Sequence, residues 1–437
     1  MATTRIYKDL GRVMIKNYTV SISFYLYAIF AFVLFLATSN GRSAEAFALP
    51  AASADVVVIV RAPERVLLLD LTRTPDNVWT RIRRGFAMPD FNSPRVVELQ
   101  YSYLAQPAYL ERMFNRSARY LYYIVEELER RNLPTELALL PMVESSFNPL
   151  AHSRAHASGL WQFIPSTGRE YNLTQNKWID ERRDVTASTE AALDYFETLY
   201  ARHGDWHLAL ASYNRGENAI SRAVERNLAA GRSAEFSALK LPAETRDYLP
   251  KLQALKNIIA QPELFAIDLP YIENRQLFTA VDAPVGIDLT TAAKYAGIPL
   301  KEFLALNPGF NRPAITTPGY TLMVPTENAP RFKTLQNEFT QPGKGWRSHT
   351  LAVGETLAGV AGRVGLTQGQ LLQINALPAR SRPSTGYSLL VPASRNVDPT
   401  GALAAAELLP SSVRAAARKD AKPRKAAPKR ARQATTR

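Results

Sequence analysis

The chain contains no cysteine. That excludes disulfides, thiolate metal sites and cysteine nucleophiles. It does not exclude an oxidising compartment, because a chain of 437 residues can build a core that needs no covalent staple. Histidine is scarce, with five residues. His152 and His156 are four apart, but no third ligand lies at a helpful spacing, so no metal site is expected. Acidic charge is also in short supply: 39 Asp and Glu against 53 Lys and Arg, a formal net charge of +14. The excess is uneven. From Ser411 to Arg437 there are ten Lys or Arg against Asp420 alone, so this tail carries +9 of the total. It has no apolar stripe from which to build a core, and it reads as disordered.

What is present is an ordinary globular composition, 46% apolar, with room for two or three domains. Residues 1–48 read as a targeting segment. Arg5, Lys8, Arg12 and Lys16 precede an apolar run from Val20 to Ala37, and small residues around Ala44 to Ala48 offer a cleavage site. A cleaved signal peptide is preferred, and a retained membrane anchor stays open; in either case the bulk of the chain is exported. Residues 49–94 read as a linker leading into the first helices. From Pro107 to Arg131 one continuous helix is expected, with Leu110, Phe114, Ser117, Leu121, Ile124 and Leu128 on one face. Ala187 to His203 reads as a second helix, capped near Ser188 and closed by Gly204, and Trp206 to Ser212 as a short buried third.

Leu133 to Tyr171 is the stretch around which the rest is organised. A helix starting at Pro134 carries the apolar run Leu137, Leu139, Leu140, Met142 and Val143, with Pro141 bending its last turn. Glu144 follows at its end. Apolar neighbours and the negative end of the helix dipole disfavour its anion, and no Lys or Arg lies within eight residues on either side. A carboxylic acid that keeps its proton near neutral pH suits general acid catalysis at a glycosidic oxygen. The alternative is a helix-end glutamate in solvent. Beyond it, Pro149, Gly159, Pro165 and Gly168 break regular structure, which makes a loop-rich wall. There Gln162 offers a donor and an acceptor to a sugar. Trp161 serves either this wall or the core.

Glu144-Ser145, Gly159-Leu160-Trp161-Gln162, then Ser212-Tyr213-Asn214-Arg215-Gly216 and a later tyrosine in LPAETRDYLPKLQA form an ordered set. It resembles the signature of the family 1 lytic transglycosylases, in their membrane-bound murein-cleaving branch, over roughly Asp76 to Pro392. The resemblance implies a mainly α, goose-lysozyme-like catalytic domain with no metal and no cofactor. It implies that Glu144 is the single catalytic acid, that Ser145, Gln162, Tyr213 and Asn214 hold the glycan, and that Tyr248 positions Glu144. Read without it, Tyr213 could equally seal the core and Asn214 cap the next helix. The implied reaction cleaves the MurNAc–GlcNAc bond without water and leaves 1,6-anhydroMurNAc ends. A hydrolytic muramidase of the same fold and a non-catalytic wall-binding protein are the alternatives. Asp180, Glu181, Asp184 and Asp205 are available as second carboxylates, but none falls in a matching motif.

The chain also repeats itself. Leu289 to Asn307 matches Leu357 to Asn375 at an offset of 68, and Thr317 to Pro325 matches Ser384 to Pro392 at 67. Each unit reads as strand, helix, helix, strand. The second, opening with Gly354-Glu355-Thr356-Leu357, looks like a LysM module, a βααβ unit that binds N-acetylglucosamine-containing glycans. The first looks like a diverged copy. The expected organisation is a catalytic domain at 95–270, a diverged LysM-like unit at 271–327, a linker at 328–345, a LysM module at 346–394 and a disordered basic tail at 395–437. The expected partners are peptidoglycan glycan strands and, for the tail, anionic envelope polymers or lipid rather than nucleic acid. The expected location is the periplasm or cell envelope.

Overall fold

The computed structural model describes residues 74–340 and 344–410. The expected targeting segment and the charged tail beyond residue 410 lie outside the described residues. Among those described, no helix is long and apolar enough to cross a membrane.

The first part is helical. Helix α1 (Val78–Arg84) is capped by the Asn77 side chain, which accepts from the Trp79 amide. It closes the domain on itself: the Trp79 indole donates to the Pro270 carbonyl at 2.9 Å, and the Val78 amide to Ile272. Helix α2 (Pro94–Leu104) begins on a proline, whose missing N–H costs nothing there. The expected helix from Pro107 to Arg131 is instead two, α3 (Pro107–Ser117) and α4 (Leu121–Arg130). Its six stripe residues are all buried as expected. The break arises because the Ser117 hydroxyl turns back to the Phe114 carbonyl while the Tyr120 ring is driven into the core, parallel to Phe147.

A 3-10 turn, Thr135–Leu139, then leads into the six-residue α5 (Leu140–Ser145). Pro141 therefore stands in the first turn of a new helix rather than bending the last turn of an old one. Buried Glu136 secures this segment, accepting from the Ala87 and Met88 amides and from Lys256 at 3.0 Å. After α6 (Pro165–Glu170) comes α7 (Val185–His203), whose cap is Asp184, not Ser188. Asp184 accepts from the Thr186 and Ala187 amides. Helix α8 (Trp206–Arg215) runs past the expected end at Ser212, so Tyr213 and Asn214 occupy its last turn. Then come α9 (Glu217–Ala229) and α10 (Ala243–Ala260). One contiguous apolar core, from Val78 to Ile272, unites these elements.

The internal repeat is real at the level of backbone. In the first unit β1 (Phe278–Asp282), α11 (Leu289–Ala296), α12 (Leu300–Leu306) and β2 (Thr321–Pro325) form a two-stranded antiparallel sheet with two helices between. Ala280 pairs with Met323. A helix, α13 (Ala329–Gln336), follows where a linker was expected, because Phe332 is fully buried in the first unit's core. The second unit repeats the pattern with β3 (Trp346–Thr350), α14 (Leu357–Arg363), α15 (Gln368–Ile374) and β4 (Ser388–Pro392), and Ser348 pairs with Leu390. The start of the expected tail is likewise ordered as α16 (Thr400–Leu408). Ala402 enters the second core, and Ala405 and Leu409 the first. Alanine-rich composition concealed this helix, since small side chains give little amphipathic contrast.

Both units share one internal lock. Asn307 donates to the carbonyls of Phe303 (3.0 Å) and Met323 (2.8 Å) and accepts from the Met323 amide (2.8 Å). Asn375 does the same with Leu371 and Leu390. Each amide is buried and ties the second helix to the second strand. Replacing Asn307 by Leu strands a buried N–H and its carbonyl partners. It is expected to cost about 2 kcal/mol in urea unfolding; a loss below about 0.5 kcal/mol would dismiss the lock as incidental.

Candidate active site

Glu144 sits at the C-terminal end of α5, and the chain leaves that helix by an unusual route. Ser146 and Phe147 both adopt left-handed backbone conformations, with φ of 52° and 56°. Such strain needs external support. Phe147 supplies it through a fully buried ring, Tyr109 bonds the Ser146 hydroxyl at 2.6 Å, and Arg116 donates to the Ser146 carbonyl at 2.8 Å. The sharp exit leaves Glu144 at the wall of a cleft of about 440 Å³. Gln162, Tyr213, Asn214 and Tyr248 line the same cleft.

Tyr248, on the first turns of α10, donates its hydroxyl to Glu144 Oε1 at 2.5 Å. Burial pushes the Glu144 carboxyl up to about 7. The Tyr248 hydrogen bond pulls it down, Glu244 pushes it up and Lys251 pulls it down again. Both phenols facing it, Tyr213 and Tyr248, are raised well above their usual value, first by burial and then by the Glu144 charge. Glu144 is thus an acid held near neutrality mainly by desolvation, as its apolar sequence context implied. Glu244 and Lys251 were not legible as neighbours, since they arrive on α10, a hundred residues further along the chain.

The other expected site residues divide. Gln162 has φ of 51°, and its amide nitrogen donates to the Gly159 carbonyl at 2.8 Å, so it stiffens its own turn while lining the cleft. The Tyr213 ring stacks on Phe196 at 4.5 Å and its hydroxyl donates to the Trp161 carbonyl at 2.8 Å. It seals the core and shapes the Gln162 turn at once. Asn214 does not cap the next helix; Gly216 does. Its side-chain oxygen is buried and has no hydrogen-bond partner among the described residues. Ser145 is the exception. Its hydroxyl lies 2.9 Å from the Leu160 carbonyl and 3.0 Å from that of Pro141, and it does not line the cleft. It ties the GLWQ turn to the acid's helix. Trp161 is fully buried, its indole donating to Thr189, and belongs to the core.

The four carboxylates offered by the sequence as second groups are all engaged elsewhere. Asp180 pairs with Arg182, Glu181 accepts from the Thr174 amide, and Asp184 and Asp205 cap α7 and α8. Glu244 is the other carboxylate lining the cleft. Among the described residues no group of three or more His, Asp or Glu is disposed to hold a metal ion.

The raised carboxyl couples to stability. With a folded-state value above the unfolded one of 4.5, the bound proton contributes fully below pH 4.5, and the contribution is lost as pH rises through about 7. Glu144→Gln cannot ionise. It is expected to match the parent near pH 4 and to exceed it at pH 8 by up to about 3 kcal/mol, read from thermal unfolding at the two pH values. Tyr248→Phe removes the donor that favours the anion, so it is expected to push the carboxyl higher still. A stability difference flat in pH would contradict the raised carboxyl.

The Transglycosylase SLT domain family matches residues 122–236, which include Glu144, Gln162, Tyr213 and Asn214. The family described as the Lytic transglycosylase MltD, LysM-like domain matches residues 278–341, the first repeat unit together with α13. A protein named Membrane-bound lytic murein transglycosylase D from Escherichia coli (strain K12) is 35% identical over 333 residues, covering 72% of this chain and 73% of that protein. The same values hold for the protein of that name from Escherichia coli O6:H1. A Putative tributyltin chloride resistance protein from Alteromonas sp. (strain M-1) is 50% identical over 110 residues, 25% of this chain and 53% of that one.

Proposed function

This chain belongs to the membrane-bound lytic murein transglycosylase D family and is a peptidoglycan lytic transglycosylase, and we propose that Glu144 performs both proton transfers of its reaction. Glu144 protonates the oxygen between N-acetylmuramic acid and N-acetylglucosamine. The C1–O bond breaks, and the substrate's own 2-acetamido group stabilises the positive charge developing at C1. Glu144, now a carboxylate, takes the proton of the C6 hydroxyl of the same sugar as that oxygen bonds to C1. A 1,6-anhydro ring closes, and the glutamic acid is restored with no water consumed. The attack is intramolecular, which avoids the entropy cost of recruiting a second reactant.

The observation that carries this reading is the Tyr248–Glu144 hydrogen bond at the cleft wall. A carboxyl oxygen accepts from a phenol in either protonation state. With Oε1 occupied by Tyr248, the proton belongs on Oε2, free to leave and return. A value near 7 suits a group that must act first as acid and then as base. The unpaired Asn214 oxygen is the acceptor we assign to the acetamido N–H, and Gln162 to the glycan beside it. Tyr213 and Ser145 are positioning residues that hold the Leu160–Gln162 turn.

Murein places the chain's work in the cell envelope. Export through residues 1–48, with the bulk in the periplasm, is the finer reading we propose. Glycan capture falls to the unit at 346–394, whose Val353 turn is exposed. The basic tail is assigned to anionic envelope polymers or lipid head groups.

Glu144→Gln in the full chain is expected to abolish release of soluble muropeptides from purified peptidoglycan, by about a thousandfold or more, while sedimentation with peptidoglycan persists. The parent's products should be lighter by one water than hydrolysed ones in mass spectrometry. Turnover should fall as pH rises through about 7. Glu244→Gln removes the charge that raises Glu144 and should leave activity in place with that fall shifted to lower pH. Hydrated product ends lost with Glu244→Gln would point to a two-carboxylate hydrolysis instead.

A further inference from the structure

Arg183 is a buried cation with no carboxylate among its hydrogen bonds. Its side chain is 4% exposed. Its guanidinium donates to the Pro308 carbonyl at 2.9 Å, the Gly309 carbonyl at 2.8 Å and the Asn311 side-chain oxygen at 2.6 Å. Burial lowers its proton affinity to about 10, which still leaves it charged. Burying a charge against neutral carbonyls is costly, and such an arrangement is weak evidence of a stabilising role. These acceptors, with the Phe310 carbonyl at 3.5 Å, belong to one loop of the first LysM-like unit.

The residue before it reaches the opposite way. Arg182 is gripped by both oxygens of Asp180, at 2.9 and 2.6 Å, and its outer nitrogen donates to the His156 and Phe163 carbonyls at 2.8 and 3.1 Å. Phe163 adjoins Gln162 on the cleft wall. At Gly159, φ is 90° and a β-carbon would stand 1.8 Å from the Arg182 carbonyl, so the wall rests directly on this backbone. Asp180 completes the link, its amide donating to Gly309 at 2.9 Å, and Asn311 donates to the Trp178 carbonyl at 2.8 Å. The segment 176–184 is therefore clamped between the cleft wall and the first unit.

The repeat supplies an internal control. In the first unit the loop after the second helix is buried, including Gly309, Phe310, Arg312 and Ala314. In the second unit the equivalent loop is largely exposed at Ala379, Arg380 and Arg382. One copy has spent this loop on the catalytic domain and the other has left it free.

We propose that Arg183 is a positioning residue for the transglycosylase reaction, and that the first LysM-like unit is a structural part of the catalytic apparatus rather than a second glycan-binding module. Loop 308–311 holds Arg183, Arg183 sets the 176–184 segment, and Arg182 passes that setting to the wall bearing Gln162. The inference rests on the assignment of Glu144 and Gln162 above.

The test uses the full chain and a soluble peptidoglycan tetrasaccharide, so that turnover is read separately from retention on the insoluble polymer. Arg183→Met is expected to lower kcat about tenfold with KM changed by less than about twofold. Arg183→Lys should recover part of the loss, since it keeps the charge but not the fork. Retention on insoluble peptidoglycan, measured in a Glu144→Gln background, should not change. Asn311→Ala removes one acceptor and should lower kcat in the same sense, which keeps the test open if Arg183→Met fails to fold. Unchanged kcat on the tetrasaccharide with weakened retention would overturn the proposal, as would a kcat loss no larger than the loss of folded protein seen by circular dichroism. Persistent activity of Glu144→Gln on the same tetrasaccharide would instead sink the site assignment, whatever Arg183 does.

Discussion

A short phenol-to-carboxyl hydrogen bond joins two residues 104 positions apart, Tyr248 on α10 and Glu144 at the end of α5. The helical part is built so that this pair meets in a place poor in water. The left-handed exit at Ser146 and Phe147 leaves Glu144 at the cleft wall, and the strain is contained because the buried Phe147 ring and hydrogen bonds from Tyr109 and Arg116 hold the turn.

Around that pair the chain uses buried polar ties where simple apolar packing would not specify a loop. Glu136 binds two backbone amides and Lys256, fixing the turn that feeds α5. Ser145 and Tyr213 hold adjacent carbonyls of the Leu160–Gln162 turn. Arg182 holds two more carbonyls of the same wall. Loops cannot bury their backbone without partners, so each tie both satisfies a carbonyl and sets a position. The cleft is a set of such ties rather than a cavity left by chance between helices.

The two repeat units show one pattern put to two uses. Asn307 and Asn375 make equivalent locks, so the internal architecture is preserved. The outer surfaces are not equivalent. The first unit's loop carries the acceptors for Arg183, whereas the second unit keeps an exposed turn at Val353. Helix α16 contributes apolar residues to both cores, so the two units share a wall.

Much of this was legible in one dimension. Desolvation of Glu144 followed from its apolar neighbours, the buried stripe of α3 and α4 from its spacing, and the repeat from self-similarity, because each is a property of residues close in the chain. What sequence reading missed has more than one cause. The break at Ser117 and the helix at 329–336 depend on packing against partners distant in sequence, Phe147 and the first unit's core, whereas the helix at 400–408 was hidden by its small side chains. The chain by itself showed a glutamate set among apolar neighbours with no cation close in sequence, and that two like units follow it. Tyr248 was expected beside it from the family resemblance, but only the tertiary structure decided that Glu244 and Lys251 act on it too, because they reach it through the packing of α10 against α5, and a long-range electrostatic environment leaves no trace in local spacing.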